Sequence, residues 1–182
     1  MDEISLNILD IAKNSIRAKA ALIEIMLTES DDTLSFIIKD DGIGMDSATL
    51  TSVKEPFFTT KPDGKGGLGI PALIEDTERT GGQVCIESTT ESDTEKGHGT
   101  AVSGLFYKNH KDCAPLGDII STLVTLIQGH PDVDICFFHK VKGGEVSLDT
   151  REIRKVLGAV PLDTYEILLW IRENLKEQYL SI

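Results

Sequence analysis

The chain has 182 residues, 40% hydrophobic and 26% charged, the make-up of an ordinary globular protein with one core or a core and a small annex. Its net charge of −12 leaves no basic surplus to displace phosphate counterions, which argues against a general nucleic-acid binder. Met1-Asp2-Glu3 opens without a secretory signal, no apolar run approaches the roughly 20 residues of a bilayer span, and Cys85, Cys113 and Cys136 are few and far apart; the expectation is a cytoplasmic chain with free thiols, off the membrane.

Residues 5–20 are predicted to form a helix. Ile8, Leu9, Ile11, Ala12 and Ile16 share one arc, while Asn7, Asp10, Asn14 and Arg17 recur at spacings of three and four on the other. Two strands follow, 21–28 and 33–39, joined by the polar turn Glu29-Ser30-Asp31-Asp32. A long irregular stretch covers 46–69, with a short helix near 46–53; a loop of that length in a compact domain is commonly a lid. A helix with Pro71 near its start runs to about Arg79 and stops at Gly81-Gly82. Strands at 83–89 and 99–107 complete this segment. Beyond a connector at 108–112 come an apolar helix at 115–128, a hairpin of 133–141 and 144–149 turning at Gly143-Gly144, and helices at 150–158 and 163–179.

Three glycine-rich clusters punctuate these elements: Asp40-Asp41-Gly42-Ile43-Gly44, then Gly64-Lys65-Gly66-Gly67-Leu68-Gly69-Ile70, then Gly97-His98-Gly99-Thr100. Glycine lets the backbone approach a ligand closely. Backbone N–H groups bared at a loop that runs into a helix form a phosphate site. The set reads as a nucleotide pocket.

In this order, and with Asn14-Ser15-Ile16-Arg17-Ala18 on the first helix and Glu55-Pro56-Phe57-Phe58-Thr59-Thr60-Lys61 ahead of the second cluster, the motifs resemble the GHKL or Bergerat ATP-binding domain. Gyrase, the large heat-shock chaperones, histidine kinases and mismatch-repair ATPases share that domain, and the likeness covers residues 4–107. It implies an α/β sandwich with a mixed, largely antiparallel sheet, helices on one face, and a small C-terminal α/β annex over 112–182 following an ATP-binding domain over 1–108.

The resemblance also implies roles. Asn14 matches the magnesium ligand, and an amide oxygen suits hard Mg²⁺, which takes few protein ligands. Asp10, one turn earlier, stands where ATPase members carry a Glu general base, one methylene longer. Asp40 matches the residue that accepts from the adenine amino group, with Gly42 and Gly44 lying against the base. Gly66, Gly67, Leu68 and Gly69 would clamp the phosphates, with Lys61 and Lys65 as charge partners. Thr100 matches a hydroxyl that supports the adenine-reading carboxylate. Plainer readings stand beside these: Asp10 as a surface carboxylate near Lys13 and Arg17, Lys61 and Lys65 as solvated lysines, Thr100 as a strand residue. Phe57 and Phe58 read as packing anchors of the lid, and the four histidines as surface or core residues.

A sensor kinase needs a helical segment with its phosphoacceptor histidine ahead of this domain, and the first helix begins almost at Met1. The expectation is therefore a stand-alone member, similar in organisation to the anti-sigma serine kinases, with a lid more like that of nitrogen-regulation sensor kinases. Its function is expected to be slow Mg·ATP hydrolysis or phosphoryl transfer to a partner protein. The alternative is a non-enzymatic ATP/ADP sensor. Residues 112–182 match no known motif; they would extend the sandwich, form a homodimer surface or dock a protein partner.

Overall fold

The computed structural model describes residues 3–58, 67–92 and 97–182. Elements run in the order α1 (Ile4–Arg17), β1 (Leu22–Glu29), β2 (Thr33–Asp40), α2 (Ser47–Ser52), α3 (Gly69–Arg79), β3 (Gln83–Thr89), β4 (Gly99–Tyr107), α4 (Ile119–Gly129), β5 (Asp134–Val141), β6 (Gly144–Asp149), α5 (Thr150–Leu157) and α6 (Tyr165–Leu180). The strands form one six-stranded sheet in the order β3-β4-β2-β1-β5-β6. Every neighbouring pair is antiparallel except β1–β5, which runs parallel.

Side chains alternate across a strand, so one face of each is available to a core. Ile23, Ile25 and Leu27 of β1 are buried, as are Leu34, Phe36 and Ile38 of β2 and Ile135 and Phe137 of β5. Their registers align them across the sheet: Ile25 pairs with Ile38 on one side and Phe137 on the other. Against this face pack Ile4, Ile8, Ile11 and Ala12 of α1, Leu73 of α3, Leu123 and Ile127 of α4, and Ile171 and Leu175 of α6, all in one continuous cluster. On the opposite face Met26 and Ile37 are exposed.

The C-terminal residues thus extend the sandwich by two strands and two core helices. They do so through β5, which lies alongside β1 rather than at the edge of a separate sheet. They also complete α1. The first N–H groups of a helix have no partner within it, and Glu3 offers α1 no side-chain cap. Instead Ile4 N–H donates to the Pro115 carbonyl at 2.9 Å and Ser5 N–H to the Leu116 carbonyl at 2.8 Å. This geometry explains why α4 starts at Ile119 and not at 115. The carbonyls of 115 and 116 face α1, and Gly117 turns the chain at φ +79° with its Cα so close to Glu3 that a Cβ would meet the Glu3 carboxylate at 2.2 Å.

Other boundaries moved for local reasons. α1 ends at Arg17 because Lys19 adopts φ +61°, which no helix continues. α3 starts at Gly69, two residues before Pro71, whose missing N–H falls harmlessly in the first turn. In the β5–β6 hairpin Gly144 already pairs with Val141, so the turn is Lys142-Gly143. Asn7 departs from its place on the polar stripe: it is 2% exposed, and its Nδ2 reaches Asp76 of α3 at 3.5 Å, because α3 packs along that side of α1.

Candidate functional site

α1 carries Asp10 and Asn14 one turn apart, so both side chains leave the helix on one stripe. That stripe lines a cavity of about 1060 Å³, whose walls also include Arg17, Ala18, Ile43, Gly44, Met45, Gly67, Leu68, Gly69 and Pro71. The first turn of α3 closes one side: a Cβ placed on Gly69 would stand 3.5 Å from the Asp10 Cβ. Leu68, at the N-cap, makes no side-chain cap bond, and among the described residues the Gly69 and Ile70 N–H groups of the first turn have no acceptor, the arrangement that receives an anion. The Asn14 amide oxygen is held by the Arg17 guanidinium.

Asp40 ends β2 and is 7% exposed. Its Oδ1 accepts from the Gly42 N–H at 2.9 Å and the Thr100 N–H at 3.2 Å, and its Oδ2 from the Ser15 hydroxyl at 2.6 Å. The neighbouring Asp41 accepts from the N–H groups of Ala21 and Leu22, tying the loop to the start of β1. Gly42 is glycine for lack of space: a Cβ there would meet the Ala18 carbonyl oxygen at 2.8 Å. Ala18 is the shared wall. It touches Gly42 on one side, lines the cavity on the other, and its carbonyl accepts from Ile43 N–H at 2.9 Å. Asp40 and Thr100 stand beside the cavity and are not among the residues that line it.

The structure brings together Asp10, Asn14, Gly44, Gly67, Leu68 and Gly69 around the cavity, and Asp40, Gly42 and Thr100 in the loop cluster beside it. Lys61, Lys65 and Gly66 lie outside the described residues. Thr100 meets Asp40 through its backbone; its hydroxyl lies 2.8 Å from that of Ser88, which accepts from Met45 N–H and donates toward the Gly99 carbonyl. Three residues were missed by sequence reasoning. Ser15 was visible only as the neighbour of Asn14. Ser88 sits in a strand. His98 links the third glycine cluster to the first, its Nδ1 lying 2.7 Å from the Gly42 carbonyl oxygen; since that oxygen can only accept, this nitrogen carries the proton. Its place between two glycines was the one available signal.

No trio of His, Cys, Asp or Glu able to hold a metal occurs among the described residues. The donor chemistry fits Mg²⁺ nonetheless, since a cation that keeps phosphate and water ligands needs only one or two protein oxygens, and Asn14 places one at the cavity wall. No helix among the described residues is long and apolar enough to cross a membrane.

A helix stripe facing an uncapped helix start, with a buried carboxylate in a glycine loop beside them, defines a nucleotide-binding α/β sandwich. Residues 2–108, more than half of the chain, match the family model of histidine kinase-, DNA gyrase B- and HSP90-like ATPases, and the chain belongs to that family. It is 31% identical to a putative sensor protein of Shewanella frigidimarina over 113 residues, which are 62% of this chain and 16% of that protein. It is 28% identical to sporulation kinase A of Bacillus subtilis over 88 residues, 47% of this chain and 14% of that one. The chain thus spans far less than two thirds of these relatives. In fold it is similar to the Aquifex aeolicus MutL ATPase domain complexed with ADP, with a TM-score of 0.56 at 12% identity over 86% of this chain and 69% of the other. The N-terminal domain of a DNA repair protein gives 0.55 at 16% identity over 87% and 58%. Both likenesses of fold extend past residue 108, into the strands and helices that complete the sandwich.

Proposed function

We propose that this chain binds Mg·ATP in the cavity between α1 and α3 and acts on its γ-phosphate, as a slow ATPase or as a protein kinase toward a partner. One observation carries this reading: a single turn of α1 sets a carboxylate, Asp10, and an amide oxygen, Asn14, side by side on a wall that faces the open start of α3. Asp40 reads the adenine amino group. Gly67, Leu68 and Gly69 present backbone N–H groups to the phosphates, and the family resemblance gives Lys61, Lys65 and Gly66 a part in the same phosphate binding. Asn14 would hold the metal through its amide oxygen, which Arg17 now occupies. When bound, Mg²⁺ neutralises charge on the phosphate oxygens.

In hydrolysis Asp10 takes a proton from water as the water oxygen bonds to the γ-phosphorus. The bond from that phosphorus to the β-bridging oxygen breaks, and ADP leaves with the electron pair. In transfer to a protein, a partner's hydroxyl or imidazole replaces the water. The family match and the kinase names of the relatives support this reading.

The sensor reading rests on a different observation. The N-terminus of α1 is capped by the carbonyls of Pro115 and Leu116, so a shift of α1 on nucleotide binding is felt directly by the C-terminal elements. A partner docked on residues 112–182, or a second copy of the chain, would then respond to ATP without turnover. Release or transfer of labelled γ-phosphate by the pure protein separates the two. Turnover that Asp10→Asn abolishes, with ATP affinity kept, establishes the enzyme. Saturable ATP binding without turnover or labelling, alone or with captured partners, establishes the sensor.

A further inference from the structure

Ser15 follows Asn14 on α1 and is 3% exposed. Its hydroxyl donates to Asp40 Oδ2 at 2.6 Å, while the alternative acceptor, the Ile11 carbonyl, is 3.5 Å away. The shorter bond to a charged oxygen wins, since charge-assisted hydrogen bonds are about twice as strong as neutral ones. Asp40 therefore has three donors from three separate elements: Ser15 in α1, the Gly42 N–H in its own loop and the Thr100 N–H in β4.

An ionised carboxylate offers about four lone-pair sites. Two on Oδ1 and one on Oδ2 are taken, which leaves one, on Oδ2. The two N–H groups share Oδ1 and alone would let the carboxylate pivot about it. The bond from Ser15 to the other oxygen stops that pivot. Ser15 is itself held, because the turn of α1 beyond it is tied to the same loop by the bond from Ile43 N–H to the Ala18 carbonyl.

We propose that Ser15 is a positioning residue for nucleobase discrimination. It fixes the Asp40 carboxylate so that its one remaining lone pair accepts only from a base with an exocyclic amino donor. The inference rests on the reading of Asp40 as the contact to the base. A purely structural Ser15 would pin α1 to β2, and its loss would weaken all nucleotides alike.

The test compares dissociation constants for Mg·ATP and for Mg·purine riboside triphosphate, which lacks only the 6-amino group. It uses the full chain as wild type, Ser15→Ala and Ser15→Cys, each with a melting temperature. A hydrogen bond to a charged group predicts a wild-type preference for ATP of roughly 10- to 100-fold. Ser15→Ala should reduce that preference to less than about 3-fold while changing the affinity for purine riboside triphosphate by less than about 2-fold, since only the oriented acceptor is lost. Ser15→Cys, whose thiol is a weak donor, should fall between, and it carries the comparison if the alanine variant does not fold. A wild-type ratio retained in the variants, or equal losses for both ligands, overturns the role of Ser15. A wild type that binds ATP and purine riboside triphosphate equally overturns the reading of Asp40 beneath it.

Discussion

At one end of the sheet Asp40, at the close of β2, stands with Gly42 and Thr100 beside an open cavity; at the other, His139 is buried among Tyr179, Glu29 and Lys108. Both are buried polar clusters, and they differ in what remains uncommitted. At the distal end His139 Nδ1 lies 2.8 Å from the Tyr179 hydroxyl, and Glu29 Oε1 takes the Lys108 ammonium at 2.6 Å. His139 Nε2 stands 3.5 Å from Glu29 Oε2, an ion pair only when the ring is protonated. His139 Nε2 is buried without a hydrogen-bond partner, so what is left over at this end is shut inside the protein. The four groups join β1, β5, α6 and the chain just past β4. At the nucleotide end Asp40 keeps a lone pair, α3 keeps its first N–H groups, and Asp10 faces open space. A titratable cluster marks a site when the groups it leaves over border open space, as Asp10 and the start of α3 do.

The comparison breaks first on turnover. Asp10→Asn should lower γ-phosphate release by about 10²- to 10⁴-fold, the usual contribution of a general base, with ATP affinity within about 2-fold of wild type. Release unchanged by this substitution would remove Asp10 from the chemistry. Asp40→Asn should weaken ATP binding by roughly 10- to 100-fold, because the amide offers fewer acceptor sites and leaves one of its three buried donors facing an NH₂ group. Calorimetry with Mg·ATP reads this directly, and a tight Asn variant would place base recognition elsewhere.

The junction between the two ends gives a smaller effect. Gly117→Ala forces a side chain into positive φ and onto the Glu3 carboxylate. A cost of about 1–3 kcal/mol in folding stability is expected from such strain, measurable by urea denaturation, and ATP should recover part of it by binding the native state. At the distal end Tyr179→Phe should cost about 1 kcal/mol, the net worth of one hydrogen bond, with ATP affinity unaltered. A change in ATP affinity there would mean that the far end is coupled to the pocket.

The smallest effect is in pH. Burial holds the His139 imidazole below its ordinary 6.5, against the opposing pull of Glu29. The unfolded chain then binds more protons than the folded one between the lowered value and 6.5, so stability rises with pH through that window and is level above it. Acidification below about 6.5 should therefore lower the melting temperature. His139→Gln should flatten this slope between pH 5 and 7; an unchanged slope would assign it to other groups.

Much of the fold was legible because periodicity is local. The alternation in Leu22–Thr28 and Leu34–Ile38, and the arc of Ile8, Ile11 and Ala12, depend only on neighbours in sequence, and each marks a face that must be buried. Asp10, Asn14 and the glycine clusters were legible as motifs, since their residue types are set by chemistry. Asn7 was misplaced because the helical wheel shows which residues share a face and not which neighbour covers it. Ser15, Ser88 and His98 were missed because each acts through a partner 11 to 56 positions away.

Propensity and periodicity are carried by short stretches of chain, so the strands, the helices and the residue types of a nucleotide pocket could be read from the sequence, and the order of the motifs carried the resemblance to the family. Folding in three dimensions was needed to set β5 parallel to β1, to cap the helix bearing Asp10 and Asn14 with the carbonyls of Pro115 and Leu116, and to bring Ser15 to Asp40. Each of these is a contact between residues distant in sequence, chosen by which buried polar groups and apolar faces can be satisfied together, and no local pattern encodes that choice.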